Sequence, residues 1–251
     1  MKEKIRQLVN TKSFHIVMII VIITVILCAV GIMLLQYQVE GETNMPFNIE
    51  KITIISSSES TDKDSETNRW AFDINQNNDI YIYLQKNENY KEKEAIKSII
   101  IENLKVEKAK ELGLTNFYIP NKSPEGGNFA NKQENLVQKI EYKGAMESDI
   151  KNLKIANQGG ILVFRYANDK VAEYVSNDEV INHSELLKKA NVKEEDLKAK
   201  LSFDLTIQTE SGKEYKANIP LDMPITGVVE KGISAIEITN LDDIIFKRTK
   251  N

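Results

Sequence analysis

The sequence predicts a mainly β protein, in which a single N-terminal transmembrane helix precedes an antiparallel β-sandwich carrying a short inserted helical hairpin. Three observations predict it. Residues 16–35 form a run without charge; beyond residue 46, short apolar runs alternate with polar residues at period two between turn residues; and within that exterior part residues 182–201 break the rule with apolar side chains at helical spacing. No strand–helix–strand alternation follows, so a parallel sheet is not expected.

The apolar run, Ile16 to Leu35, has Thr24 and Cys28 as its only polar side chains. About twenty residues at 1.5 Å each make about 30 Å of helix, the thickness of a bilayer's hydrocarbon core. A soluble helix of that length needs a polar stripe, and none is present. Ala29-Val30-Gly31 has the small-x-small form of a signal-peptide cleavage site, but Ile32 to Leu35 continue the run past it. Leu27 also stands where a lipoprotein signal ending in Cys28 needs a small residue. The expectation is an uncleaved anchor. Lys2, Lys4, Arg6 and Lys12 precede the span and Glu40 and Glu42 follow it. This asymmetry predicts a cytoplasmic N-terminus and an extracytoplasmic domain at the cell membrane. The organisation expected is a tail over 1–15, a span over 16–35, a linker over 36–46 and a β-rich domain over 47–251. If the sheets form two modules, the Pro/Gly/Asn-rich segment 120–133 is the boundary. Thr24, Cys28 and Gly31, at i, i+4 and i+7, give the span one small-residue face where a second helix would pack.

The exterior strands follow in order. Phe47 to Ile55 alternate, and the polar residues Ser56–Asn68 read as a surface loop. Trp70, Phe72 and Ile74, the turn "NQNN", then Ile80, Ile82 and Leu84 read as a hairpin with Tyr81 and Tyr83 on its other face. Residues 95–112 mix helix-forming Lys and Glu with alternating β-branched residues, and their β context favours strand. "FYIPN" and "LVQKIEYKG" read as short strands. "ILVFRYAND" and "VAEYVSN" read as a second hairpin around an Asn-Asp turn. The helical hairpin follows, with Ser184 as a first cap and Asn191 with Glu194 at capping-box spacing for a second turn. Phe203, Leu205 and Ile207 return to period two, "ESGKE" turns, and Tyr215, Ala217 and Ile219 come back. "AIEIT" and "DIIFKR" close the sheets.

Composition narrows the function. The tail's four basic and one acidic residues, set against a net charge of −4, leave −7 for the remainder. That argues against a nucleic-acid partner, which needs a basic surface. One cysteine, inside the span, excludes an intramolecular disulfide. Abundant Ile, Lys, Asn and Glu suit the AT-rich genome of a Gram-positive bacterium.

Chemistry-bearing motifs are few. Asp73, Asn75, Asn77 and Asp79 have the D-x-N-x-N-x-D spacing of oxygen ligands around calcium, but Asn78 and Leu84 stand where the loop needs its Gly and bidentate Glu. A hairpin turn hydrogen-bonding its own backbone is the expectation, and calcium the alternative. "MPITG" at Met223 resembles a sortase pentapeptide but lacks the apolar span that must follow. His183, near Asp178 and Glu179, has no paired histidine for a metal and no exterior Cys or G-x-S-x-G elbow for catalysis. The expectation is therefore a non-catalytic binding domain, not an enzyme: an accessory subunit contacting a protein partner in an envelope assembly. The alternatives are a cell-wall or glycan-binding module using Trp70, Tyr81, Tyr83 or Phe117, and a carboxylate-based hydrolase.

Overall fold

The computed structural model describes residues 12–62, 70–121, 127–146, 153–176 and 181–250. The chain divides into two compact units, 1–43 and 44–251.

In the first unit a single helix, α1 (Lys12–Glu40), extends the apolar run by four to five residues at each end. Its most apolar 18-residue window has a mean hydropathy of 3.3, and it is long and apolar enough to cross a membrane. The run is rich in β-branched residues, and helix is the conformation that satisfies every backbone group without water. The Thr24 hydroxyl is satisfied within the helix by donating to the Ile20 carbonyl at 2.9 Å. Gly41, at φ 73°, ends it, its N–H donating to the Tyr37 carbonyl.

The second unit holds eleven strands among the described residues: β1 (Phe47–Asp62), β2 (Trp70–Lys86), β3 (Ile96–Lys108), β4 (Leu114–Tyr118), β5 (Ile140–Gly144), β6 (Leu153–Ile155), β7 (Gly159–Ser176), β8 (Ala199–Thr209), β9 (Glu214–Asp222), β10 (Ile233–Ile238) and β11 (Lys247–Lys250). They form a five-stranded sheet, β10-β1-β2-β7-β4, and a six-stranded sheet, β11-β9-β8-β3-β5-β6. Every pairing is antiparallel except β5 with β6. The inward residues of both sheets share one sandwich-like core, and Phe164 of β7 meets Phe203 of β8 edge to face at 5.4 Å.

Several expectations change here. The first hairpin does not exist: residues 70–86 are one continuous strand, and "NQNN" lies in its middle. The second is likewise one strand, β7, running straight through Asn168-Asp169. Those two polar segments lie side by side, with Gln76 opposite Asn168, Asn77 opposite Ala167 and Asn78 opposite Tyr166. Ser56 to Asp62 belong to β1 rather than to a loop; residues 63–69 lie outside the described part. Turn-forming side chains stay in a strand because tertiary partners take most of their hydrogen bonds, although Gln76 Oε1 and Asn77 Nδ2 are buried without one. Ser56 bonds Asn78, Asn78 Nδ2 donates to the Tyr166 carbonyl at 3.3 Å, and Gln76 Nε2 donates to the Leu197 carbonyl at 3.4 Å.

This inward polar belt divides the core. On its far side Phe72, Ile74 and Val171 pack against the helical insertion, including Leu186, Leu187 and Leu197, and against Val228 and Val229. The insertion is shorter than the sequence suggests: one α-turn, α2 (Leu186–Lys189), between 3₁₀ turns at His183–Glu185 and Glu194–Leu197. Asn182, not Ser184, is the first cap, accepting from the Ser184 N–H. Asn191, at φ 58°, leaves the helix, and Glu194 accepts from the Gly227 N–H instead of closing a capping box. "MPITG" is the turn from β9 into α3 (Val228–Lys231). The last strand begins only at Lys247. Residues 95–112 are strand through Lys108. Residues 44–251 form one compact unit, and within 120–133 the described Asn131 bonds residues of β2 and β7.

Candidate functional site

The face of the five-stranded sheet opposite the core carries the densest chemistry. Residues opposite each other on antiparallel strands share a face, so Glu59, Asn75, Asn77, Asp79 and Arg165 stand together on it. Arg165 is the centre. It is only 4% exposed, and it lies in the apolar run of β7. Its Nε and Nη2 bind Asp79 at 2.6 and 3.1 Å, a bidentate pair. Its Nη1 and Nη2 also donate to Glu59 at 3.3 and 3.2 Å.

Segment 127–135 covers this guanidinium. The Phe129 ring lies 4.8 Å from Arg165 Cζ. Asn131 accepts from Arg165 Nη1 at 3.0 Å and donates to Asn77 Oδ1 at 2.9 Å and Asp169 Oδ1 at 2.8 Å. Asp169 Oδ2 accepts from Asn116 at 2.8 Å and from the Tyr118 hydroxyl at 2.7 Å. Burial pushes the Asp79 carboxyl above its ordinary range, against the pull of Arg165. Burial, reinforced by Asp169, holds the Tyr118 phenol far above its own. The ionisable side chains of the cluster are thus bonded to one another or to Asn131.

The calcium spacing resolves differently from either sequence expectation. Asp73, Asn75, Asn77 and Asp79 do occupy one face, but along an extended strand, which separates the first from the last by about 20 Å. They do not converge on a point. Asp73 pairs with Lys170 at 3.0 Å, Asn75 Oδ1 accepts from the Lys170 N–H at 2.8 Å, and the other two bind Asn131 and Arg165. Among the described residues no group of three His, Cys, Asp or Glu side chains is arranged to hold a metal. In α1, Thr24, Cys28 and Gly31 lie on one helical face; Cys28 is exposed, and a Cβ on Gly31 would meet no atom within 4 Å. His183 lies 2.7 Å from the Ser60 hydroxyl and packs on Phe72; Asp178 and Glu179 lie outside the described residues.

Toward the other end of the same face the surface turns apolar. Tyr81 and Tyr83 are half-buried on β2, with Ile55 and Val163 beside them and Ile161 46% exposed. Lys51 Nζ sits 4.9 Å over the Tyr83 ring and pairs with Glu237 at 2.8 Å. Phe117 is on the opposite face, tilted against Tyr166 at 5.9 Å; the Trp70 side chain lies outside the described part. A separate cleft of about 660 Å³ at the ends of β1 and β2 is lined by the carboxamide residues Asn48, Gln85, Asn87, Asn89 and Gln158 together with Lys86 and Glu88. Arg165 escaped the sequence reading, although it is the only charge within "ILVFRYAN". Asn131 carried no signal, since an asparagine in a Gly/Asn-rich segment reads as loop.

Comparison with protein-family models, with curated proteins and with solved structures returned no match.

Proposed function

We propose that this chain is a membrane-anchored, non-catalytic binding subunit of a Gram-positive bacterial envelope assembly. In this reading α1 spans the cell membrane with its N-terminus inside, and residues 44–251 work outside, docking a protein partner on the outer face of the five-stranded sheet. One observation carries it. That face is polar and cross-bonded around Arg165, yet open and apolar where Ile161, Tyr81, Tyr83 and Ile55 lie, the mixture of buried polar anchor and accessible aromatics found at protein interfaces. The acidic balance of the domain and the absence of cysteine outside α1 suit an exterior protein partner better than nucleic acid.

The test is cross-linking in living cells, followed by recovery through a C-terminal tag. A discrete partner should co-purify in near-stoichiometric amount and be lost from the Tyr81→Ala/Tyr83→Ala double variant. Recovery of the bait alone would sink the reading. The carboxamide-lined cleft favours a glycan as the second reading, because paired amide donors and acceptors match sugar hydroxyls. Retention of residues 44–251 on isolated cell wall, abolished by Asn48→Ala with Gln85→Ala, would select it instead.

A further inference from the structure

We propose that β10 is the contact through which two copies of this chain pair, edge to edge, into a continuous ten-stranded sheet. An exposed sheet edge presents unpaired N–H and C=O groups and is normally guarded. Three of the four edges here are. β11 carries Lys247, Arg248 and Lys250, so a second copy of that edge is repelled. β6 is three residues long. β4 is only five residues long and its C-terminal end is covered, since Tyr118 bridges Leu136 and the Val137 N–H donates to the Phe117 carbonyl. Among the described residues β10 has none of these guards. Its sequence is Ile-Ser-Ala-Ile-Glu-Ile, with Ile233 55% and Ile236 44% exposed, and its single charge, Glu237, is neutralised within the chain by Lys51.

The register follows from the ladder. The Ser58 N–H donates to the Gly232 carbonyl at 2.8 Å. Hydrogen-bonded and non-bonded pairs alternate along an antiparallel ladder, so even-numbered residues of β10 bond β1, and Ile233, Ala235 and Glu237 aim their backbone groups outward. Two copies sharing a face must pair residues of equal parity. Centring on Glu237 would oppose like charges; centring on Ala235 places Ala235 against Ala235 and Ile233 against Glu237, engaging all three outward residues of each copy. The occupant is a second copy because the edge is neutral and self-complementary in this register, and because a six-residue strand buries less than the roughly 1,000 Å² of a stable interface in free solution. Copies confined to one membrane raise each other's effective concentration enough to use it. The pairing holds whichever partner occupies the outer face and whichever side of the membrane the domain faces.

The experiment uses the full chain in lipid vesicles, with Cys28→Ser to remove the native thiol. Opposed Cα atoms of a bonded antiparallel pair lie about 5.5 Å apart, within disulfide reach. Ala235→Cys should therefore give a disulfide-linked dimer under mild oxidation, and Arg248→Cys on the guarded edge should not. Adding Ile233→Glu, which opposes Glu237 of the second copy, should cut the cross-linked fraction by about threefold to fivefold, while Ile233→Lys should preserve or raise it. Equal cross-linking at 235 and 248 would overturn the proposal, as would none at 235, or a yield indifferent to the charge at 233, which would place the contact on α1 instead.

Discussion

Arg165 is held by two carboxylates, an asparagine and an aromatic ring while almost wholly out of water. Removing one member of such a set strands the others. Arg165→Ala leaves Asp79 without its bidentate partner under the cover of segment 127–135, and should cost about 3–5 kcal/mol in urea unfolding. Arg165→Lys retains the charge but not the fork, and should lose much of the same amount. A loss below about 1 kcal/mol for both would mean that the cluster relaxes into water. Tyr142 of β5 is a second such residue. Its hydroxyl donates to the Val163 carbonyl at 2.6 Å and accepts from the Val163 N–H at 2.7 Å. Val163 precedes the stretch of β7 that β4 covers, Arg165 to Asp169, so one phenol satisfies both edge groups. Tyr142→Phe should cost about 1–3 kcal/mol. Burial pushes this phenol up to about 12 from its ordinary 10. Between those values the folded chain keeps a proton that the unfolded chain has lost. The contribution is therefore complete below about pH 10 and declines as pH rises toward 12. The stability gap between wild type and Tyr142→Phe should narrow over that interval, and a constant gap would refute the assignment. Arg165 went unread, although as a lone charge in an apolar run it left a signal in the sequence. Tyr142 left none, because nothing near it in sequence shows that its hydroxyl meets a strand of the other sheet.

Strands were legible where local chemistry and tertiary pairing agree. The β8–β9 hairpin forms around "ESGKE" with Gln208 opposite Glu214, because its turn residues sit where the chain does reverse. They were not legible in β2 and β7, whose central Asn and Asp residues carry turn propensity but find partners across three strands and in Asn131. Side-chain satisfaction by distant residues overrode a local preference worth little by comparison. The two long strands still register the conflict in one place. Opposite Asn75 the pairing shifts, and Lys170 adopts φ 59° while its N–H bonds Asn75 Oδ1. A left-handed conformation is costly for any side chain branched at Cβ. Lys170→Gly and Lys170→Val both delete the ion pair to Asp73, so their difference isolates the backbone. The valine variant should be less stable than the glycine variant by about 1–2 kcal/mol in thermal or urea unfolding. Equal stabilities would mean that the bulge flattens when asked to.

At the scale of the whole molecule, the proposed function depends on which side of the membrane the second unit faces. α1 supplies length and apolarity, but the direction of insertion is set by charge. Lys2, Lys4, Arg6 and Lys12 stand before the apolar run, and the first basic residue after it is Lys51. Each basic residue held on the cytoplasmic side adds to one orientation, so the bias should weaken in steps as they are removed. In intact cells freed of their outer wall, an added protease should destroy a tag placed after Asn251 while leaving an N-terminal tag intact. Lys2→Gln, Lys4→Gln and Arg6→Gln together should give a mixed population, with part of the C-terminal tag protected until lysis. Only the combination discriminates. A C-terminal tag protected in the wild type would put the Tyr81–Tyr83 face in the cytoplasm and remove the envelope reading. Cleavage that the three substitutions leave unchanged would keep the orientation but take its cause away from the tail. The cysteine distribution is consistent with the exterior assignment, since the single thiol is Cys28 within α1 and residues 44–251 offer nothing for an oxidising compartment to cross-link.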